Sequence, residues 1–156
     1  MKKVIFIASA GGHLNELLQL EPLFKEYDYH IVTEKIKVTT SLKLKYNDKI
    51  SFLPFGSRHK LFIYFFKFTY CIIKSFIIYI KIKPSAIVTT GTHTAVPLCL
   101  IAKLFGKRII FIETFANQST RTLSGRIIYP IADVFIVQWE DMIKLYPKAI
   151  YGGWIY

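Results

Sequence analysis

The run Lys3-Val-Ile-Phe-Ile-Ala-Ser-Ala-Gly-Gly-His13 decides the fold. Lys3 to Ala8 reads as a strand: from Val4 on it is continuously apolar and rich in β-branched residues, the pattern of a strand covered on both faces. The glycine pair behind it permits a tight turn into a helix. Further strand-like runs follow at residues 29–33, 49–53, 86–90, 108–112 and 134–137. Helical stretches alternate with them at 14–27, 35–46, 59–82, 94–105, 123–130 and 140–146. Pro22 kinks or restarts the first helix, Pro84 ends the long one, and Gly106 closes the fourth. Strict β/α alternation predicts an α/β fold with a doubly wound, mostly parallel sheet. The 156 residues suit one Rossmann-like domain spanning 1–156. Ligands of such sheets bind at the carboxyl ends of the strands, so the residues there carry the functional reading.

The chain carries a formal net charge of +11, with a pI near 9.7. That excess suggests a polyanionic partner: nucleic acid, anionic lipid or a phosphorylated substrate. A hydrophobic fraction of 53%, with 13 Phe and 10 Tyr, favours the membrane, and no nucleic-acid motif is present. Cys71 and Cys99 sit in apolar stretches, as small buried hydrophobes do in a reducing compartment. The apolar core of residues 1–10 is too short for a secretory signal. His13, His30, His59 and His93 show no ligand spacing, so no metal and no cofactor is expected.

Within residues 59–82, Lys60, Lys67, Lys74 and Lys81 recur every seventh position in an otherwise aliphatic and aromatic run. A helix drifts only about 20° per heptad, so the four lysines form one slowly turning stripe. A lysine at the bilayer centre costs roughly 3 kcal/mol on insertion scales, which argues against a full span. An interfacial helix satisfies both surfaces: lysines at anionic headgroups, aromatics below them. The competing reading is a core helix whose lysines snorkel along one exposed edge.

After the first strand, Gly11 and Gly12 open a helix whose free N–H groups suit a phosphate or diphosphate. His13 beside them is either a general base or a capping and packing residue. After the fourth strand, Thr90, Gly91 and Thr92 make a second small, hydroxyl-rich turn, while His93 reads as structural. Glu113 follows the fifth strand, to orient a sugar hydroxyl or a histidine, or to sit in a salt bridge at the rim. Trp139 follows the sixth, for stacking or packing, and Glu34 the second, where ribose binding is disfavoured without a dinucleotide glycine fingerprint.

The segments 9–18, 88–93, 112–116, 125–139 and 146–153 together resemble, across essentially the whole chain, a glycosyltransferase family. It is the acceptor-side subunit of the two-part dolichol-pathway N-acetylglucosaminyltransferase, with bacterial relatives in capsule and exopolysaccharide clusters. The resemblance implies the amino-terminal half of a GT-B fold, inactive alone, whose partner subunit holds the UDP-sugar. It implies a polyprenyl-diphosphate-linked sugar acceptor at the cytoplasmic face of the membrane. Gly11, Gly12 and His13 would face the acceptor, with Thr90, Gly91, Thr92 and Glu113 in the same cleft. Trp154, Ile155 and Tyr156 would dock on the partner. Eukaryotic relatives begin with a membrane anchor; here the chain starts at its first strand, so the lysine-striped helix is expected to do that work. The runner-up is a non-catalytic scaffold that anchors and activates a separately competent transferase.

Overall fold

Seven parallel strands in the order β3-β2-β1-β4-β5-β6-β7 form one sheet. The computed structural model describes residues 1–55 and 61–156, with residues 61–64 described by backbone alone. The strands are β1 (Lys3–Ala8), β2 (Asp28–Glu34), β3 (Ile50–Leu53), β4 (Ala86–Gly91), β5 (Arg108–Ile112), β6 (Val134–Val137) and β7 (Ile150–Tyr151). The helices are α1 (Gly12–Gln19), α2 (Glu21–Phe24), α3 (Lys37–Thr40), α4 (Leu42–Tyr46), α5 (Leu61–Ile82), α6 (Val96–Leu104), α7 (Leu123–Ile128) and α8 (Met142–Leu145).

β1 is apolar on both sides because both sides are covered. Ile5 and Ile7 join Ile87, Ile109, Phe111 and Phe135 in a core shared with α5 to α8. Val4, Phe6 and Ala8 pack on the opposite face with Leu14, Leu17 and Phe24 from α1 and α2. That second face is covered only in part. Val88, Ile110 and Ile136 are half-buried there and, with Ile155, line an apolar cavity of about 480 Å³.

The expected breaks have local causes. Pro22 lies in the first turn of α2, where the missing N–H costs nothing, so the first helix divides around Leu20. α5 stops at Ile82, and Lys83 adopts φ 52° before Pro84. Gly106 at φ 68° terminates α6, with the Lys107 N–H donating to Ala102 O at 2.9 Å. Two expectations are corrected, and one strand is added. Residues 35–46 form two short helices that meet at Ser41, and α3 begins only after Ile36, whose N–H donates to the Thr39 hydroxyl at 3.0 Å. The last expected helix shrinks to Met142–Leu145. β7, two residues long, has no sequence signal; its register against β6 (Ile136 opposite Ile150) holds it. His59 and Lys60 lie outside the described residues.

Along α5, Cys71, Ser75, Ile78 and Tyr79 face the core, a spacing of four, three and one that keeps them on one side. The opposite side is exposed and apolar, with Phe65 at 67% and Ile77 at 58% exposure. Lys67, Lys74 and Lys81 run along one border of that side. Among the described residues no helix is long and apolar enough to cross a membrane.

Candidate functional site

β1 and β4 are neighbours, and the chain leaves them in opposite directions across the sheet. Their carboxyl ends therefore part to form a crevice, the switch point where open α/β sheets bind ligands. A cavity of about 390 Å³ lies there, lined by residues that include Ser9, His13, Glu34, Thr92, His93 and Ser124.

The floor is the β1–α1 turn. Gly11 caps α1 at φ 99°, a conformation that side chains strain to adopt. A Cβ on Gly12 would meet nothing within 4 Å, so there is open space beside the turn at the positive end of α1.

His13 is fixed from both ends. Its Nδ1 lies 2.7 Å from the Thr90 carbonyl oxygen, and the Thr90 hydroxyl donates to the His13 carbonyl at 2.7 Å. A carbonyl only accepts, so Nδ1 carries the hydrogen and Nε2 is left with the lone pair. Glu16 stands 3.9 Å from Nδ1. It also accepts from the Thr114 hydroxyl at 2.8 Å and the Phe115 N–H at 3.1 Å, tying α1 to the loop after β5. Gly91, at φ 99°, passes close to His13: a Cβ there would sit 3.6 Å from the imidazole and 3.3 Å from Ser124 Oγ.

The cavity contains an acid that sequence reasoning set aside. Glu34 is 2% exposed. It accepts from the Ala10 N–H at 3.1 Å and the Thr94 hydroxyl at 2.6 Å, with His93 Nε2 at 3.8 Å. This carboxylate clamps the glycine turn to the start of α6. The available signal was its position at the carboxyl end of a buried strand. The Thr92 hydroxyl, also at the cavity, is buried without a hydrogen-bond partner among the described residues, the state of a group whose partner is a ligand or water.

Glu113 sits elsewhere. It is 1% exposed and faces inward. Tyr146 donates to it at 2.9 Å, Thr122 at 3.0 Å and the Thr114 N–H at 3.3 Å. Burial pushes its pKa up, opposed by the hydrogen bonds from Tyr146, Thr122 and Thr114. Gly125 leaves room for this network, since a Cβ there would lie 2.6 Å from Glu113 Oε2 and 2.4 Å from the Tyr146 hydroxyl. Glu113 does not line the cavity.

The carboxyl terminus is not a loose arm. Ile155 donates its N–H to Gln138 at 3.2 Å, and Ile155 and Tyr156 pack against the second core face. Trp154 stacks on Phe115 at 5.6 Å yet stays 74% exposed. Among the described residues no cluster of His, Cys, Asp and Glu can hold a metal ion.

A family model described as oligosaccharide biosynthesis protein Alg14-like matches residues 57–155. The UDP-N-acetylglucosamine transferase subunit ALG14 of Mus musculus is 29% identical over 177 aligned residues, covering 97% of this chain and 82% of its own length. The corresponding subunit of Schizosaccharomyces pombe is 40% identical over 75 residues, 45% of this chain and 36% of its own. Among solved structures, Acinetobacter baumannii MurG superposes with a TM-score of 0.73 at 18% identity, over 90% of this chain and 43% of that one. UDP-N-acetylglucosamine 2-epimerase from Rickettsia bellii gives 0.71 at 19% identity, over 94% and 41%. The likeness bears out the expected fold, half of a GT-B architecture, and the chain spans less than half of either neighbour.

Proposed function

This chain belongs to the Alg14-like family of oligosaccharide biosynthesis proteins, and from that membership we propose that it is the acceptor-binding, membrane-recruiting subunit of a split glycosyltransferase. A separate subunit holds a UDP-sugar. The pair transfers the sugar to a polyprenyl-diphosphate-linked saccharide at the cytoplasmic face of the membrane, in capsular or exopolysaccharide synthesis. The relatives' role as UDP-N-acetylglucosamine transferase subunits supports a UDP-sugar donor.

The observation that carries the proposal is His13, which lines the cleft with its Nδ1 held at the Thr90 carbonyl, so that Nε2 is the ring nitrogen left for the reaction. In the transfer, Nε2 takes the proton of the acceptor hydroxyl as that oxygen bonds to the anomeric carbon. UDP leaves with the bonding pair. The N–H groups at Gly11 and Gly12 receive the acceptor diphosphate, and the unpaired Thr92 hydroxyl hydrogen-bonds the acceptor. Glu113 acts from behind, bracing the loop that Glu16 ties to α1.

The membrane role rests on α5, whose exposed apolar side is bordered by Lys67, Lys74 and Lys81. The partner role rests on exposed Trp154 and on Ile155, which lines the apolar cavity over β4, β5 and β6. Alone, the chain provides one side of the reaction and does not transfer sugar.

The test is His13→Ala in a complex reconstituted with the UDP-sugar-binding partner on vesicles carrying lipid-linked acceptor. Lost transfer with intact partner capture supports the catalytic role. Unchanged transfer replaces it with the scaffold role, which the internal placement of Glu113 favours.

A further inference from the structure

We propose that Lys35, Lys67 and Lys74 form a groove that binds the phosphomonoester or diphosphate headgroup of a lipid, between the apolar side of α5 and the cleft. The proposal rests on the membrane role of α5 and adds a specific site to it. Lys35 directly follows β2, and its N–H donates to the Leu53 carbonyl at 2.8 Å, so its backbone is anchored at the sheet. Lys67 and Lys74 stand one heptad apart on α5 and face it. Between them lies an opening of about 370 Å³, walled by Leu53, Pro54, Phe55 and Tyr70. An adjoining opening of about 300 Å³ adds Lys81 and Ser51 to Lys35 and Lys74.

Among the described residues no carboxylate lines either opening. Among the described residues, none of the ion pairs involves these lysines. Cations gathered from two elements without an acid repel one another in the free protein, and a multiply charged anion relieves that repulsion. The ammonium of Lys74 also lies 5.7 Å from the Tyr70 ring centre, which holds it at the groove.

Two features select a lipid over a free anion. Ile73 and Ile77 are exposed on α5 beside the lysines, where acyl chains would lie against them. Phe55 is a wall of both the groove and the cleft, so a phosphate held by the lysines is next to the acceptor site. The groove receives the lipid-borne phosphate before it reaches the glycine turn.

The experiment is co-sedimentation of the full chain with phosphatidylcholine vesicles carrying either phosphatidic acid or phosphatidylserine, matched for surface charge. The wild type should prefer phosphatidic acid. Lys35→Gln should bind those vesicles about fivefold more weakly and lose the preference, while phosphatidylserine binding persists. Lys103→Gln, whose lysine pairs with Asp133 at 2.9 Å, should behave as wild type. Equal wild-type binding to both lipids, or an unchanged preference in Lys35→Gln, overturns the groove and leaves the interfacial helix standing. Binding to neither vesicle overturns both. Inorganic pyrophosphate that binds through Lys35 as tightly as the vesicles do assigns the groove to a soluble phosphate and overturns the lipid.

Discussion

His13 Nδ1 lies 2.7 Å from the carbonyl oxygen of Thr90, across the two central strands of the sheet. The contact sets the tautomer of the ring and joins the β1 turn to the end of β4. His13→Asn keeps a donor near the Nδ1 position and removes Nε2. Transfer by the reconstituted complex should fall about 10²- to 10⁴-fold, with the circular dichroism spectrum unchanged. A variant with near wild-type turnover would remove the histidine from the chemistry.

Gly12→Val is expected to fold, because its Cβ meets nothing in the free protein and its φ is not in the left-handed region. The branched side chain then fills the space where a diphosphate would approach the backbone. Acceptor use should be lost while the melting temperature stays near that of the wild type. Retained acceptor use would move the cradle elsewhere.

Gly125→Ala is expected to destabilise by about 1–3 kcal/mol, through forced displacement of Tyr146 and Glu113. Urea unfolding reads this directly. Gly12→Val, on the open side of the fold, serves as the comparison.

His30 supplies a pH dependence. Burial, followed by the nearby Lys81, lowers its pKa below the usual 6.5. The folded state thus prefers the neutral ring. That stabilisation is complete above pH 6.5 and is lost as the pH falls through the depressed folded value. Melting temperature should drop between about pH 7.5 and about pH 5, and the drop should be smaller in His30→Gln.

Trp154→Ala should change stability by no more than about 0.5 kcal/mol, since the ring is largely exposed. Partner capture should weaken by about 2 kcal/mol, as for a central aromatic at an interface. Deleting residues 154–156 should cost stability as well, because Ile155 and Tyr156 pack on the sheet. Full-strength capture by Trp154→Ala would place the partner elsewhere.

The sheet was legible because its strands are continuous apolar runs: three of them, β1, β5 and β6, start and stop where the sequence places them. The helices between β2 and β3 were less so. Thr39 turns its hydroxyl back to the Glu34 carbonyl at 2.6 Å, a local competitor to helix formation that no apolar period reveals. His13 and Thr92 line one crevice because the segments that carry them follow neighbouring strands, which topology dictates. The role of Glu34 was hidden because its partners, Ala10 and Thr94, are distant in sequence. Glu113 also follows a strand, yet only the packed structure brings Tyr146 against it from 33 residues away.

The register that places Val4 of β1 beside Ala86 of β4 has a consequence for synthesis. The first strand leaves the ribosome long before its central neighbour exists, and all of α5 is made in between. At roughly 5–20 residues per second, that interval lasts on the order of several seconds. During it the helix has no completed sheet behind it, and both of its apolar sides face the surroundings. Closure of the domain therefore waits on β4, and only then does the inner side of α5, with Cys71, Ile78 and Tyr79, gain the core it packs against.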